Sequence, residues 1–363
     1  MAGRKKKSAG RMPLWLYVLI VAAIALVTYF RTSGEAEAGD PQPPAASAAA
    51  QQTPADETLT VRFLDVGQGD SILLACGDET MLIDGGPVEE GQFLVSRLNR
   101  LDVAELTYVV NTHPDEDHCG GLAAVLAKYP AEHVYSSVTE YTTKVFSNVV
   151  KYADEQGHPV EVPQTGDSWT LGSASVQIIG PVQTYSDPNN GSLVLRVDYG
   201  GTSFLFTGDM EQKAETDLMA SGANVQADVL KAGHHGSPTS SSEAFLEAVA
   251  PSIAVISVGE DNDYGHPSAD VLARLEALGT TIYRTDTQGE IIITSDGQTL
   301  TVTTDPTSRE PAAGKDAPFI GNRNSMIVHS ANCAKLPGED NRVYFNTAEE
   351  AKEYGYQKHT CIK

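Results

Sequence analysis

The sequence predicts a layered α/β sandwich with a functional site along its sheet edges. From about Leu59 onwards, short strand-like runs alternate with helical patterns, as in mixed α/β folds. Gly- and Asp-bearing turns separate the runs, and several runs end directly at His or Asp residues. The chain has 363 residues and is 41% hydrophobic, which is enough for one large domain with additions.

The first 58 residues predict a membrane-anchored protein. Basic residues in segment 1–13 precede an apolar run over 14–30 that is interrupted only by Thr28, and segment 31–58 resembles a flexible stalk. The positive charge before the run places 1–13 in the cytoplasm and the rest of the chain outside it. A cleaved signal peptide, which would make the protein secreted, is the alternative. The basic residues are Arg4, Lys5, Lys6, Lys7 and Arg11.

One large domain is predicted over 59–304, followed by a linker over 305–317 and a small α+β module over 318–363. The predicted strands are 61–64, 71–76, 81–83, 106–111, 175–179, 193–199, 203–206, 228–232, 254–258, 281–283, 290–294 and 299–303. The predicted helices are 122–129, 211–220, 243–249 and 269–278.

Charge and cysteine content exclude two classes of protein. The chain has 48 acidic and 25 basic side chains, which excludes a broad electrostatic grip on nucleic acid. A bound cation can still dominate the local field and meet a single phosphate. The 4 cysteines are too few and too scattered for a disulfide-stapled scaffold.

The strongest chemical pattern directly follows the predicted strand 106–111. His113, Asp115, Asp117 and His118 lie within six residues of one another. Carboxylates this close repel each other unless a cation or protons neutralise them. The pattern therefore favours a metal site over a solvated acidic turn.

Two other predicted strands end at potential metal ligands. Asp209 follows strand 203–206, and the pair His234 and His235 follows strand 228–232. Each feature alone is weak, because Gly-Asp is a common turn and paired histidines can cap a helix. Together, the three strand ends predict a catalytic metal site with an open coordination position.

These residues resemble the ligand set of the metallo-β-lactamase superfamily. The resemblance implies a four-layer αββα sandwich and metal ligands at His113, Asp117, His118, Asp209 and His234. Asp115 stands where the family has a second histidine, and Asn190 lies in the stretch where a further histidine is expected. The harder ligands make Mn²⁺ a competitor of Zn²⁺, with one or two ions bound.

Over about 59–304 the chain is similar to the hydrolase domain of ComEC-type competence (DNA-uptake) proteins. The resemblance rests on FLDVGQGDS at 63–71, IDGG at 83–86, the block 112–121, TGD at 207–209, GHHGS at 233–237 and YGHP at 264–267. It implies a phosphodiesterase or nuclease, with DNA or another phosphodiester as substrate. No protein partner is predicted.

The implied mechanism is hydrolysis by a water that a divalent ion acidifies. Asp117 is predicted to orient that water and accept its proton. His235 or His266 is predicted to stabilise developing charge or protonate the leaving group. Asp84 is predicted to hold a ligand histidine in one tautomer. Like Asp84, Asn190 is predicted to lie behind the metal ligands.

Asp65 and Asp70 are predicted to line the pocket, although a tight Gly-rich turn explains them equally well.

Two other functions compete with the metal hydrolase. The first is a serine esterase that uses Ser71, Asp263 and His266, although Ser71 precedes a strand where such enzymes have a helix. The second is an inactive domain that only binds a metal or ligand.

The C-terminal module resembles a small Ada-like metal-binding module. Its candidate zinc ligands are His329, Cys333, His359 and Cys361. The module normally ends in Cys-x-x-Cys, whereas this chain has His359-x-Cys361. A Cys333–Cys361 disulfide is the alternative to a structural Zn²⁺.

Overall fold

A computed structural model describes residues 57–309, 316–322, 324–354 and 356–362. The predicted anchor at 14–30 and the basic segment before it lie outside these ranges, as does almost all of the stalk. Within the described ranges, every helix is too short or too polar to cross a membrane.

The first of two large sheets begins as an antiparallel meander and continues with parallel strands. β1, β2 and β3 pair antiparallel, whereas β3, β4 and β5 pair parallel. In spatial order the sheet consists of β14 (Leu300–Asp305), β13 (Glu290–Ser295), β1 (Leu59–Phe63), β2 (Ile72–Cys76), β3 (Glu79–Ile83), β4 (Leu106–Asn111) and β5 (Ala131–Ser136).

The second large sheet has four parallel strands at one side. β9, β10, β11 and β12 run parallel, so the segments that follow them meet at one edge. In spatial order the sheet consists of β12 (Thr281–Arg284), β11 (Ile253–Ile256), β10 (Val229–Lys231), β9 (Thr202–Phe206), β8 (Val194–Tyr199), β7 (Ala174–Gly180) and β6 (Ser168–Leu171).

The two sheets pack face to face over a shared apolar core. Val61 and Phe63 from the first sheet join Phe204 and Phe206 from the second in one buried cluster. Leu205, which points to the opposite face of β9, belongs to a separate cluster formed with helices. A third cluster joins the outer face of the first sheet to its own helices. The predicted α/β sandwich is therefore confirmed, with helices outside both sheets.

The helices cover the outer faces of the two sheets. They are α1 (Gly91–Arg100), α2 (Glu116–Cys119), α3 (Leu122–Leu126), α4 (Lys144–Gln156), α5 (Gln212–Ala220), α6 (Glu243–Val249), α7 (Ala269–Ala277) and α8 (Thr285–Gln288). The sequence predicts no element over 130–174, where the structure has β5, α4 and β6. The predicted helix at 122–129 is shorter in the structure and ends at Leu126.

The last described residues form a separate four-stranded sheet with one helix. Its strands in spatial order are β17 (Arg342–Phe345), β15 (Phe319–Asn322), β16 (Ile327–Ser330) and β18 (Gln357–Lys358). The helix α9 (Ala348–Glu353) begins with a capping box between Thr347 and Glu350. The Arg100 guanidinium lies 4.9 Å from the centre of the Tyr354 ring, which links α1 to the end of α9.

A buried ion pair ties the first sheet to α1. The Glu290 side chain on β13 is completely buried and accepts hydrogen bonds from Arg62 Nη1 at 2.9 Å and Arg97 Nε at 2.7 Å. A buried carboxylate is tolerated only when such partners replace its lost hydration.

We expect Arg97→Ala to lower the free energy of unfolding by about 3 kcal/mol, because it removes the best-buried partner of Glu290. The control is Lys151→Ala, which breaks an exposed pair with Glu155 and should cost less than about 1 kcal/mol. Urea unfolding of both variants measures the difference. Equal losses would contradict a stabilising role for the buried pair.

Candidate metal centre

The loop after β4 carries two fully buried histidines. His113 follows β4 almost directly, and His118 lies in the single turn of α2. Asp115 is the extended residue before α2, so the turn brings His118 back over His113. Their ring centres are 4.1 Å apart.

Four side chains from three strand ends converge beside these rings. The potential ligand atoms of Asp117, His118, Asp209 and His235 all lie within 4.8 Å of one another. His118 Nε2 is 3.2 Å from Asp209 Oδ1, and His235 Nε2 is 3.3 Å from Asp117 Oδ2. The second Asp209 oxygen is 3.5 Å from His235 Nε2, so one carboxylate faces both imidazoles.

Several buried polar atoms of this cluster and of the adjacent His113 lack hydrogen-bond partners among the described residues. They are the Nε2 atoms of His113, His118 and His235 and the Oδ1 atom of Asp209. Leaving a buried polar atom unpaired is costly, so a missing partner is expected at their centre. Imidazole nitrogens and carboxylate oxygens are ligands of both Zn²⁺ and Mn²⁺. The arrangement therefore fits a divalent cation.

Neighbouring acceptors orient the two central imidazoles. His235 Nδ1 is 2.9 Å from the carbonyl oxygen of Ser257, which only accepts hydrogen bonds, so Nδ1 donates and Nε2 faces the cluster. His118 Nδ1 is 2.9 Å from Asp84 Oδ2, which orients this ring in the same way. Asp84 also accepts from the Thr112 backbone N–H at 2.7 Å, so it holds the whole loop in place.

When no cation is bound, protonated imidazoles compensate the negative charge of the carboxylates. Burial disfavours the charged form of His235, but Asp209, Asp117 and Asp70 raise its pKa to about 9. Burial likewise opposes ionisation of Asp117, yet His118 and His235 lower its pKa to about 2. Burial, added to the charge on His118, lowers the pKa of His113 to about 3, so His113 is neutral and able to bind a metal.

Asp115 lies at the rim of the cluster. Its side chain is 36% exposed, and Oδ2 is 3.8 Å from His113 Nε2. Its other oxygen accepts a hydrogen bond from the Tyr141 hydroxyl at 3.4 Å. Asp115 thus pairs with His113 and lies outside the four-residue cluster.

The structure places His235, rather than the predicted ligand His234, in the cluster. His234 is 23% exposed, with Nδ1 3.4 Å from Glu211 Oε1 and Nε2 3.7 Å from Asp209 Oδ2. Both histidines have left-handed backbones, with φ of 49° and 52°, and their rings lie edge to face. This local twist sends two adjacent side chains in different directions, which the sequence does not show.

His266 and Asn190 lie farther from the centre. The His266 ring is 5.6 Å from the His234 ring, and burial together with the nearby histidines lowers its pKa. Asn190 donates to Glu211 Oε2 at 3.2 Å and accepts from the Ala214 backbone N–H. It therefore anchors α5 instead of approaching the four-residue cluster.

Lys231 is a neighbour of the site that the sequence analysis misses. Its Nζ is 2.7 Å from Asp70 Oδ2, and both side chains are almost fully buried. Asp70 Oδ1 lies 3.4 Å from His235 Nδ1, so the ion pair stands directly behind the cluster. A charged residue in the otherwise apolar strand β10 is a signal that could have identified it. Asp65, in contrast, pairs with Arg309 at 3.6 Å.

The serine esterase arrangement is not assembled in the described part of the chain. Ser71 is completely buried, and its hydroxyl donates to the Asp84 carbonyl oxygen at 3.1 Å. Asp263 lies in an exposed loop. None of the hydrogen bonds among the described residues joins Ser71 to Asp263 or His266.

A second group of potential ligands lies in the C-terminal sheet. Ligand atoms of His329, Cys333, His359 and Cys361 lie within 4.8 Å of one another. The two cysteines are not joined in a disulfide. Cys333 Sγ is 3.7 Å from His359 Nδ1, and the buried His329 Nδ1 lacks a hydrogen-bond partner among the described residues.

The chain is similar to the metallo-beta-lactamase superfamily and to proteins of bacterial competence. Residues 64–260 match the family model described as the metallo-beta-lactamase superfamily. Competence protein ComA of Neisseria gonorrhoeae is 36% identical over 65% of this chain, and ComE operon protein 3 of Bacillus subtilis is 31% identical over 64%. In both cases the match covers 32% of the relative, so the chain spans about a third of their length.

Among solved structures, the chain is similar to the metallo-beta-lactamase fold protein YhfI of Bacillus subtilis. It aligns with a TM-score of 0.45 and 11% identity, covering 66% of this chain and 100% of that protein.

We expect binding of Mn²⁺ at this centre to release protons and to weaken as the pH falls below about 9. The pKa of His235 is raised to about 9, so its proton must leave before Nε2 binds the ion. Calorimetric titrations in two buffers of different ionisation enthalpy measure the number of protons released. His235→Gln is the control and should release fewer. Binding without proton release between pH 6 and 8 would contradict this charge balance.

Proposed function

Because this chain belongs to the metallo-β-lactamase superfamily, we propose that it is a metal-dependent hydrolase of phosphodiesters. The motif resemblance to this superfamily and to competence proteins is confirmed by the family match and the relatives. One observation carries the proposal: buried, unpartnered atoms of His118, His235 and Asp209 meet beside Asp117, and the His113 ring lies 4.1 Å from that of His118.

We assign the first ion position to Asp117, His118, Asp209 and His235. Asp209 has one oxygen near the His118 imidazole and the other near the His235 imidazole, so its whole carboxylate faces this position. His113 and Asp115 would provide a second position, which is poorer in imidazole. Zn²⁺ and Mn²⁺ both fit such ligands, and the single imidazole of the second position favours Mn²⁺.

When bound, a divalent ion supplies an acidified water and a Lewis acid for the scissile phosphate. Asp117 is suited to orient the attacking water, because its side chain is 38% exposed and its low pKa keeps it ionised. His234 and His266 are partly exposed, with their rings 5.6 Å apart, and can hydrogen-bond to a leaving group. His235 is instead proposed as a ligand, because its Nε2 is buried within the cluster.

The proposed substrate is DNA or another phosphodiester. The support is the similarity to competence proteins, together with a cluster of imidazoles and carboxylates that fits a divalent cation. With 48 acidic and 25 basic side chains, the chain has no general attraction for a long polyanion. We therefore favour a short or single-stranded substrate that is bound only at the metal centre and next to it.

We also propose that the hydrolase acts outside the cytoplasm, anchored through residues 14–30. The support is the apolar run preceded by basic residues, which is typical of an anchor with its N-terminus in the cytoplasm.

We expect Asp117→Asn to lower kcat for bis-p-nitrophenyl phosphate at least about 100-fold, because the amide cannot accept the water's proton. Turnover by the unmodified chain with Mn²⁺ or Zn²⁺ should stop when EDTA is added. The matched control is Asp154→Asn on α4, an exposed residue outside the cluster. Single-stranded DNA serves as the second substrate.

Metal content measured by mass spectrometry separates the competing functions. A chain that retains its metal but hydrolyses no ester would support the inactive binding domain. EDTA-resistant turnover would contradict the metal mechanism.

For the C-terminal sheet we propose a structural Zn²⁺ held by His329, Cys333, His359 and Cys361. The support is the convergence of four ligand atoms with two free thiols. Four-coordinate sites of this kind stabilise small domains that lack a large core.

We expect the protein saturated with Mn²⁺ at its main centre to retain one Zn²⁺, and Cys333→Ser to lose it, because a hydroxyl is a poor zinc ligand. His158→Gln, at an exposed histidine, is the control. Thiol titration after unfolding supplies the second measurement. Without added reductant, Cys333 and Cys361 are expected to titrate as two free thiols. A disulfide between them would remove both thiols, and the module would then retain no zinc.

A further inference from the structure

A groove of about 580 Å³ lies beside the metal centre. Its lining includes Pro114, between His113 and Asp115. The walls come from the segment before α4, which contains Tyr141, and from the segment after β7, which contains Tyr185. The groove therefore reaches the ligand loop itself.

Direct contacts connect this groove to the centre. Tyr141, which lines the groove, donates its hydroxyl to Asp115 Oδ1 at 3.4 Å. Leu193, also in the lining, donates its backbone N–H to the Thr112 carbonyl oxygen at 2.9 Å. The adjacent Ser192 hydroxyl is 3.4 Å from His113 Nδ1. A molecule in the groove would thus have one end next to the candidate metal ligands.

The lining is nearly uncharged. Its residues, all in the described part of the chain, include no Lys, Arg or His, and the only acidic one is Asp187. The lining residues thus offer a phosphate chain no cationic partner, and Lys213, outside the lining, lies with its Nζ 5.6 Å from the centre of the Tyr185 ring. The polar lining consists of neutral amides and hydroxyls, as at Gln164 and Thr184, which can bond to either donors or acceptors.

Two held tyrosine rings contribute flat apolar surface. Tyr141 packs edge to face against Phe146, with ring centres 6.4 Å apart. Tyr185 donates its hydroxyl to Asp217 Oδ2 at 2.9 Å. Because their neighbours hold both rings, stacking a planar ligand on them requires little further ordering.

We propose that this groove binds the nucleobase adjacent to the scissile phosphate. A neutral, planar heterocycle with donors and acceptors around its edge matches uncharged polar walls and aromatic rings. Flexible amides and hydroxyls would tolerate different bases. This proposal rests on the proposed phosphodiesterase function and narrows its substrates to nucleotide esters.

The experiment compares two phosphodiesters that share the p-nitrophenol leaving group. They are the p-nitrophenyl ester of thymidine 5′-monophosphate and methyl p-nitrophenyl phosphate. The ratio of their kcat/KM values reports the contribution of the nucleoside. We expect Tyr185→Leu to lower this ratio about tenfold, because stacking on the ring is lost. Tyr185→Phe retains the ring but loses the hydroxyl bond to Asp217, so it should lower the ratio much less, whereas Tyr152→Leu on α4 should leave the ratio unchanged.

Thymidine binding, followed by saturation-transfer NMR on the full chain, separates failure of the subsite from failure of the proposed function. Loss of thymidine binding in Tyr185→Leu but not in Tyr185→Phe would support the subsite even without turnover. If neither ester is hydrolysed with Mn²⁺ or Zn²⁺, the phosphodiesterase function is wrong.

Equal kcat/KM values for the two esters, with no thymidine binding, would overturn the nucleobase subsite alone. A fall in both rates that leaves the ratio unchanged in Tyr185→Leu would overturn it as well. Preference for a p-nitrophenyl carboxylic ester over both phosphodiesters would assign the groove to another class of substrate.

Discussion

The burial of several carboxylates beside several imidazoles is the constraint on which the whole site depends. Asp84 and Asp209 are almost fully buried against His118, and Asp70 lies behind His235. Such a cluster is stable only if positive charge compensates the carboxylates. Lys231, paired with Asp70, provides part of that charge, and protons on the imidazoles or a bound cation provide the rest. The same requirement that stabilises the fold therefore creates a metal centre.

Sheet topology delivers these groups to one place. β9 and β10 are parallel neighbours, so Asp209 and His235 follow them at the same edge of the second sheet. β4 ends at the facing edge of the first sheet and delivers His118. The apolar core between the sheets keeps the two edges at a fixed distance. Precise placement of the ligands is thus a consequence of core packing far from them.

In the proposed function, two adjoining regions that differ in charge have different roles. The centre concentrates charge and would act on a phosphate, whereas the groove beyond Asp115 is almost uncharged and would recognise a neutral ring. This division explains how so acidic a chain could still act on a nucleotide ester. Attraction would be confined to a few ångströms around the ion, where a bound cation outweighs the negative surface.

The sequence by itself determined the sandwich, most of its strands, and the clustering of His113, Asp117, His118 and Asp209 at strand ends, because alternating burial and turn residues are local patterns. Helix α4 was missed, although Thr143 caps its start and Gly157 ends it with φ of 82°. Only the tertiary structure decided which residue of the pair at 234–235 enters the cluster and which cation stands behind it. Those outcomes depend on a left-handed local backbone and on partners far away in the chain, and neither leaves a periodic trace in the sequence.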